Sequence, residues 1–481
     1  MLRRLPAFGP LFGMAAFALW ALASQAAVQA AAPAYHAAPC TGDFAGVAQK
    51  VECGFLVVDE SRGSDTGRRV VLPVAVVKAL HPNSALPPVI YLHGGPGGSA
   101  IQSLPKMLRG PVGHQLVAQD QDWIFFDQRG SKLAVPELDC GEADLNDAGP
   151  LSDGAADTLK ACGQRFAAAG VDLSRYNTAE VARDVQDLRK ALGIDRFDLF
   201  GVSYGTRVGF GVIAHAPQGV RAVVLDSVWP ADIGWAVGGP QMISSAAREI
   251  FARCGADPAC HAAFSDPQRD LDTVAARFLA GPVTVKGKTY TASDLGGFLM
   301  DTIYDADGAR SLPRDVHAFA SGDFSALNAQ MADRSDYAEA QHLAFLCKER
   351  FPFEDRQKLV ADPGDKVAQV SLASFRRYFD VCTAYPVGPA DPVENQPVTS
   401  DIPTLFLSAQ FDPGCPPELA KAAAKRFAHG QFALAPNTTH GVYRNSPCGR
   451  RVIRAFLANP DAPVDTTCFK TDPGSFTFAT R

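Results

Sequence analysis

Three side chains in this sequence have the types and the order that acyl transfer needs: Ser203, Asp412 and His440. Ser203 lies in Gly201-Val202-Ser203-Tyr204-Gly205, after the apolar run 197–200 and before a helix-like stretch reaching about His215. That context is strand, sharp turn, helix, and a serine between two glycines at this spacing fits a nucleophile elbow. A side chain larger than hydrogen at either flanking position would crowd the backbone. The turn holds the serine oxygen clear of the sheet, and the N-terminal N–H groups of the following helix suit a developing oxyanion. A serine hydroxyl also needs a base, and the base needs an orienting acid. Asp412 follows the apolar run 403–408, whereas Asp401 precedes it, at the wrong end. Asp226, closing the run 221–226, is the competing acid. For the base, His440 comes just after the last strand-like run, at the edge where the elbow opens, whereas His429 comes before that run.

A second stretch supports the same chemistry. The short buried-strand pattern 88–92 empties into His93-Gly94-Gly95-Pro96-Gly97-Gly98-Ser99. Glycines here let the backbone approach a partner closely and aim its N–H groups, and the proline stiffens the loop. A loop in this position is a candidate for half of an oxyanion hole. Asp127 and Arg129, after the run 123–126, read as loop-fixing charges rather than catalytic groups.

The elements that must carry these loops alternate. Runs rich in Val and Leu at 54–59 and 69–78 read as a leading hairpin or meander, and short buried strands are expected at 88–92, 123–126, 197–200 and 221–226. Asn177-Thr178 caps a helix whose Val181, Val185, Leu188 and Leu192 repeat at helical spacing, with Gly193 after it. Strands alternating with helices imply a parallel sheet covered on both faces. From 231 to 399 the pattern turns helical with no strand rhythm, too long for a loop, and reads as an inserted helical cap. Strand rhythm returns at 403–408 and 432–435, with helices expected at 417–427 and 450–457.

Composition sets the bounds. The chain has 481 residues, is 47% hydrophobic and carries a formal net charge of -6, so no basic footprint argues for nucleic acid. Arg3 and Arg4 precede an apolar run from Leu11 to Leu22 and then a small-residue stretch to Ala32, the order of a secretory signal, with cleavage after Ala26 or Ala30. The run is too short to span a bilayer. Eleven cysteines suit an oxidising compartment. Short spacings suggest Cys40 with Cys53, Cys140 with Cys162, Cys254 with Cys260, Cys448 with Cys468 and Cys347 with Cys382, leaving Cys415 over. No Cys-x-x-Cys or His-x-x-x-His cluster suggests a metal, and no cofactor is expected.

Taken in order, His93-Gly94-Gly95-Pro96-Gly97-Gly98, Asp127-Gln128-Arg129-Gly130, Gly201-Val202-Ser203-Tyr204-Gly205-Thr206, Phe411-Asp412-Pro413 and Thr439-His440-Gly441 resemble the α/β-hydrolase serine peptidases of the prolyl and tripeptidyl aminopeptidase group. The stretch from about 380 to 470 resembles the TAP-like C-terminal region of that group. The resemblance implies an α/β-hydrolase fold, a mostly parallel doubly wound sheet with an inserted helical cap. It implies a division into a signal peptide (1–30), core (31–230), cap (231–399) and C-terminal core (400–481). It further implies Ser203 as nucleophile, Asp412 as acid, His440 as base, and an oxyanion hole from the N–H groups of Tyr204 and Gly95, or Gly94. Cys347-Lys348-Glu349-Arg350 resembles a Cys-x-Glu-Asp segment of exported members, which makes Glu349 the expected binder of a substrate amine; the other reading is a surface carboxylate paired with Lys348 or Arg350. The sequence departs from the group at Ser131-Lys132-Leu133 and at Gly414-Cys415-Pro416, where pocket walls rather than catalytic groups would change. The expected protein is an exported aminopeptidase, periplasmic or secreted, acting on peptides, without stable membrane insertion. An ester hydrolase with the same triad is the alternative, and a non-catalytic binding protein a distant third.

Overall fold

The computed structural model describes residues 33–64, 66–141, 155–285, 287–327, 337–362, 364–472, 474 and 476–480. The signal segment expected over 1–30 lies outside the described residues. The strands are β1 (Ala34–Ala37), β2 (Val51–Asp59), β3 (Arg69–Val77), β4 (Val89–Leu92), β5 (Trp123–Phe126), β6 (Phe197–Val202), β7 (Val220–Asp226), β8 (Val283–Val285), β9 (Lys288–Tyr290), β10 (Thr404–Ala409) and β11 (Gly430–Ala435). Nine of them form one sheet in the order β1-β2-β3-β5-β4-β6-β7-β10-β11. β1, β2 and β3 pair antiparallel, as do β3 and β5, and from β5 to β11 every pairing is parallel.

The inner strands β4, β5, β6 and β10 bury both faces, which is why these segments read as short apolar runs, whereas the edge strand β11 leaves Leu434 exposed. In β4, Ile90 and Leu92 enter one core and Val89 and Tyr91 the other. The second core packs under helices Ala100–Arg109 and Pro447–Ala458. The first continues without a break into the segment between β7 and β10. That segment carries the helices Gly239–Gly255, Pro267–Ala280, Ala292–Tyr304, Ala306–Ala320 and Lys366–Cys382, as its composition suggests. It also carries the β8–β9 hairpin, which the expectation of a strandless insertion missed. Three-residue strands are too short to leave an alternation.

The capping read from Asn177-Thr178 is present: the Asn177 side chain accepts from Glu180 N–H at the start of helix Thr178–Ala191. All five expected disulfides form, Cys40–Cys53, Cys140–Cys162, Cys254–Cys260, Cys347–Cys382 and Cys448–Cys468, and Cys415 is a free, buried thiol. No helix among the described residues is long and apolar enough to cross a membrane.

Candidate active site

Ser203 caps helix Tyr204–His215 with φ 58° and ψ -126°, a left-handed backbone outside the ordinary regions for a serine. Such a conformation costs about 1–3 kcal/mol and persists only where its surroundings hold it. The surroundings here are glycines. A Cβ on Gly205 would lie 2.0 Å from the Leu92 carbonyl oxygen, and one on Gly201 would lie 2.5 Å from the Gly205 carbonyl oxygen. The helix start therefore packs directly on the end of β4. Tyr204 is the first helical residue, so its N–H has no acceptor within the helix.

The glycine loop after β4 meets the elbow from the other side. A Cβ on Gly94 would touch the Ser203 Cβ at 3.0 Å, and Gly95 has φ 117°. The backbone of Gly94–Gly95 and the N–H of Tyr204 thus flank the serine. Gln128 steadies the loop by donating to the His93 carbonyl at 3.0 Å. Asp127 does so by accepting from Ser99 Oγ at 2.7 Å and from Ile101 N–H at 3.0 Å. Burial raises the Asp127 carboxyl to about 6, against the pull of Ser99. Arg129 forms a fully buried ion pair with Asp184 at 2.7 Å. Of the two charges expected to fix this loop by pairing, Arg129 does so through an acid and Asp127 through hydroxyl and amide donors.

In the loops after β10 and β11, His440 Nδ1 lies 3.0 and 2.9 Å from the two carboxylate oxygens of Asp412. Gly414 and Cys415 also donate their N–H groups to Asp412 Oδ1. Burial pushes this carboxyl up, but the adjacent His440 and the Cys415 amide outweigh it, so Asp412 is held below the usual carboxylate range. An ionised Asp412 fixes the His440 proton on Nδ1 and leaves Nε2 free to accept one. The Tyr304 ring packs edge-on against the imidazole, centroids 4.4 Å apart. The Cys415 thiol, the Asp412 carboxylate and His440 all lie within 4.8 Å of one another.

Asp226, the competing acid, has a different task. Its carbonyl accepts the Ser203 N–H at 3.0 Å. Its carboxylate accepts the N–H groups of Val442 and Tyr443 at 2.9 and 2.8 Å. Ser227 Oγ takes the Gly441 N–H at 2.8 Å. One strand end therefore ties the nucleophile turn to the loop that carries His440. Nothing in the sequence separates this role from an acid's, because both put an aspartate at the end of a strand.

Glu349 departs from the surface reading of it. It is 1% exposed, not on the surface, and its close contacts are to Thr178 and Arg207. Its Oε1 accepts the Thr178 N–H at 2.6 Å, and its Oε2 lies 3.8 Å from Arg207 Nη2. Arg207, one turn beyond Ser203, is itself buried, donates to the Pro230 carbonyl and sits over the Trp229 ring. A carboxylate engaged by a helix N-terminus and a buried cation ties the segment between β7 and β10 to helices Thr178–Ala191 and Tyr204–His215, and its burial overturns the surface reading of Glu349. A small recess lined by Thr178, Arg207, Glu349 and Glu394 lies there, and none of Ser203, Asp412 or His440 lines it.

Residues that sequence reasoning passed over complete the surroundings. Ala338 donates its N–H to the Gly97 carbonyl at 3.1 Å. Nδ1 of His342 lies 3.3 Å from the Pro96 carbonyl oxygen. Burial holds His342 at about 4, so near neutral pH its ring is uncharged and donates that bond. Helix Glu339–Phe345 is thus seated on the glycine loop. Beside it Trp235 packs against Phe375, Tyr378, Phe351 and His342. The signal in the sequence was only aromatic richness, which core packing explains equally well.

Family models match two parts of the chain: the alpha/beta hydrolase fold over residues 87–253 and the TAP-like protein model over residues 370–468. Among curated relatives, the chain is similar to serine protease Hip1 of Mycobacterium tuberculosis, with 26% identity covering 85% of this chain and 86% of that protein. It is also similar to tripeptidyl aminopeptidase of Streptomyces lividans, with 28% identity covering 43% of this chain and 40% of that protein. A proline iminopeptidase-related protein of Thermus thermophilus aligns structurally at 18% identity and a TM-score of 0.40, over 85% of this chain and 98% of that one. With an elbow serine, a glycine loop against it, a His440–Asp412 pair and a TAP-like C-terminal segment, the chain is a serine hydrolase of the α/β-hydrolase family.

Proposed function

We propose that the protein is an exported serine aminopeptidase that releases short units from peptide N-termini through an acyl-enzyme. Ser203 attacks the scissile carbonyl, and His440 takes its proton and hands it to the leaving amine. Asp412 orients His440 and stabilises the imidazolium. The N–H groups of Tyr204 and Gly95 receive the oxyanion. Residues 231–399 act as the cap.

The observation that carries the exopeptidase reading is the seat of helix Glu339–Phe345 on the glycine loop, through Ala338 to Gly97 and His342 to Pro96. A roof at that point favours the end of a chain over a chain running through. The names of the peptidase relatives support the same reading. Five disulfides suit an oxidising compartment and so support export.

Matched peptides with a free and an N-acetylated terminus test this. The free peptide is expected to have the higher kcat/KM, with the preference fading above about pH 8, where an α-amino group loses its proton. Equal turnover of both peptides contradicts the aminopeptidase reading, and turnover of aryl esters alone replaces it with an esterase.

A further inference from the structure

Arg444 stands four residues after His440 in the short helix Val442–Asn445 and is exposed. Its head is nonetheless anchored. Nε donates to Tyr443 Oη at 2.7 Å, and that hydroxyl shares a 2.9 Å hydrogen bond with the buried Tyr91 Oη. The guanidinium carbon lies 5.3 Å over the Tyr443 ring. The stem runs along the catalytic turn: a Cβ on Gly441 would lie 3.5 Å from Arg444 Cδ. The charge is near enough to His93 of the glycine loop to oppose its protonation, second to burial, and it is electrostatically coupled to Tyr337 of the cap.

What this arginine lacks among the described residues is an acid. Its neighbours Arg451 and Arg454 pair with Asp472 and Asp120. Among the described residues no carboxylate lies within 4.0 Å of Arg444; its side-chain bonds go to the hydroxyls of Tyr443 and Tyr91. The guanidinium is therefore a fixed fork, held by two tyrosines, whose charge no acid neutralises, a group suited to gripping a carboxylate.

Its place says whose carboxylate. The imidazole that accepts the serine proton must deliver it to the leaving amine. The leaving fragment therefore sits against His440, and what is attached to it continues along the turn that carries Arg444. When that fragment is short, its C-terminal carboxylate lies within a residue or two of the scissile bond.

We infer that Arg444 reads the C-terminal carboxylate of the leaving fragment, so that short peptides with a free C-terminus are the favoured substrates. This rests on the peptidase reading above. A bond to a charged group of this kind is worth about tenfold or more in kcat/KM.

The test compares peptides with one residue beyond the scissile bond, ending in a free carboxylate or a carboxamide, in wild type, Arg444→Ala and Arg444→Lys. The wild type is expected to prefer the carboxylate about tenfold. The alanine variant is expected to bring that ratio to near one, and lysine, with a charge but no fork, to fall between. Lengthening the leaving fragment by two or three residues should erase the wild-type preference, which a merely structural arginine would not produce. A wild type with no preference, or an alanine variant that keeps it, overturns the proposal. If no peptide is cleaved, the peptidase reading fails on its own. Aryl esters with and without a carboxylate on the phenol then give the same ratio, and its insensitivity to Arg444→Ala overturns the proposal in that case too.

Discussion

At the scale of single residues, two buried aspartates near His440 divide the labour. Asp412 meets the imidazole, whereas Asp226 meets only backbone N–H groups and its neighbour Ser227. The division predicts different failures. Asp412→Asn should keep the fold and lose kcat by about 10⁴, the scale for a wrong imidazole tautomer in a serine triad. Asp226→Asn replaces an acceptor of two N–H bonds by an amide that can serve only one of them with oxygen. It should lower stability by about 1.5–3 kcal/mol and reduce kcat far less. Denaturant unfolding and kcat for both variants check this, and the reverse pattern would exchange their roles. The places of Ser203, Asp412 and His440 after β6, β10 and β11 were legible because strand-end loops announce themselves as polar residues after short apolar runs. Asp226 was legible as a candidate but not as a tie, since its partners lie at Val442 and Tyr443. The burial of Glu349 was not legible because it depends on Thr178 and Arg207, which only tertiary packing brings to it.

At the scale of elements, the site depends on how closely helix Tyr204–His215 approaches β4. Gly205 is the contact, and its would-be Cβ faces the Leu92 carbonyl rather than a flexible side chain. Gly205→Ala must push helix and strand apart, which also moves the Tyr204 N–H and the glycine loop. The expected result is a stability loss of about 3 kcal/mol or more, with turnover falling further than the folded fraction does. A variant with wild-type unfolding and turnover would contradict the close approach. The inner parallel strands could be read because a strand buried on both faces is an apolar run. β1 could not: Ala34–Ala37 is four residues long with no apolar run and is only half-buried or exposed. The helix pattern of the insertion was legible, but its direction was not. Nothing in the sequence aims Glu339–Phe345 at the glycine loop.

At the scale of the whole molecule, disulfides and one buried thiol make a sharp expectation. Each bridge contributes about 2–4 kcal/mol in the chain-entropy picture. Non-reducing mass mapping is expected to return the five pairs and a free Cys415. Burial and then Asp412 push the Cys415 thiol well up, so alkylation of the folded protein should be slow and should accelerate on unfolding. Rapid labelling of Cys415 in the native protein would contradict its placement. The pairs were legible from short separations; that Cys415 sits beside Asp412 and His440 was not, since the three come together only when the loop after β10 meets the loop after β11. The central claim is that Ser203 is the nucleophile of an acyl-transfer enzyme, and the most direct measurement is peptide mapping after reaction with a serine-directed phosphonylating reagent. One equivalent on Ser203, lost in Ser203→Ala together with turnover, is the predicted result; a label on another residue, or turnover that survives Ser203→Ala, would contradict it.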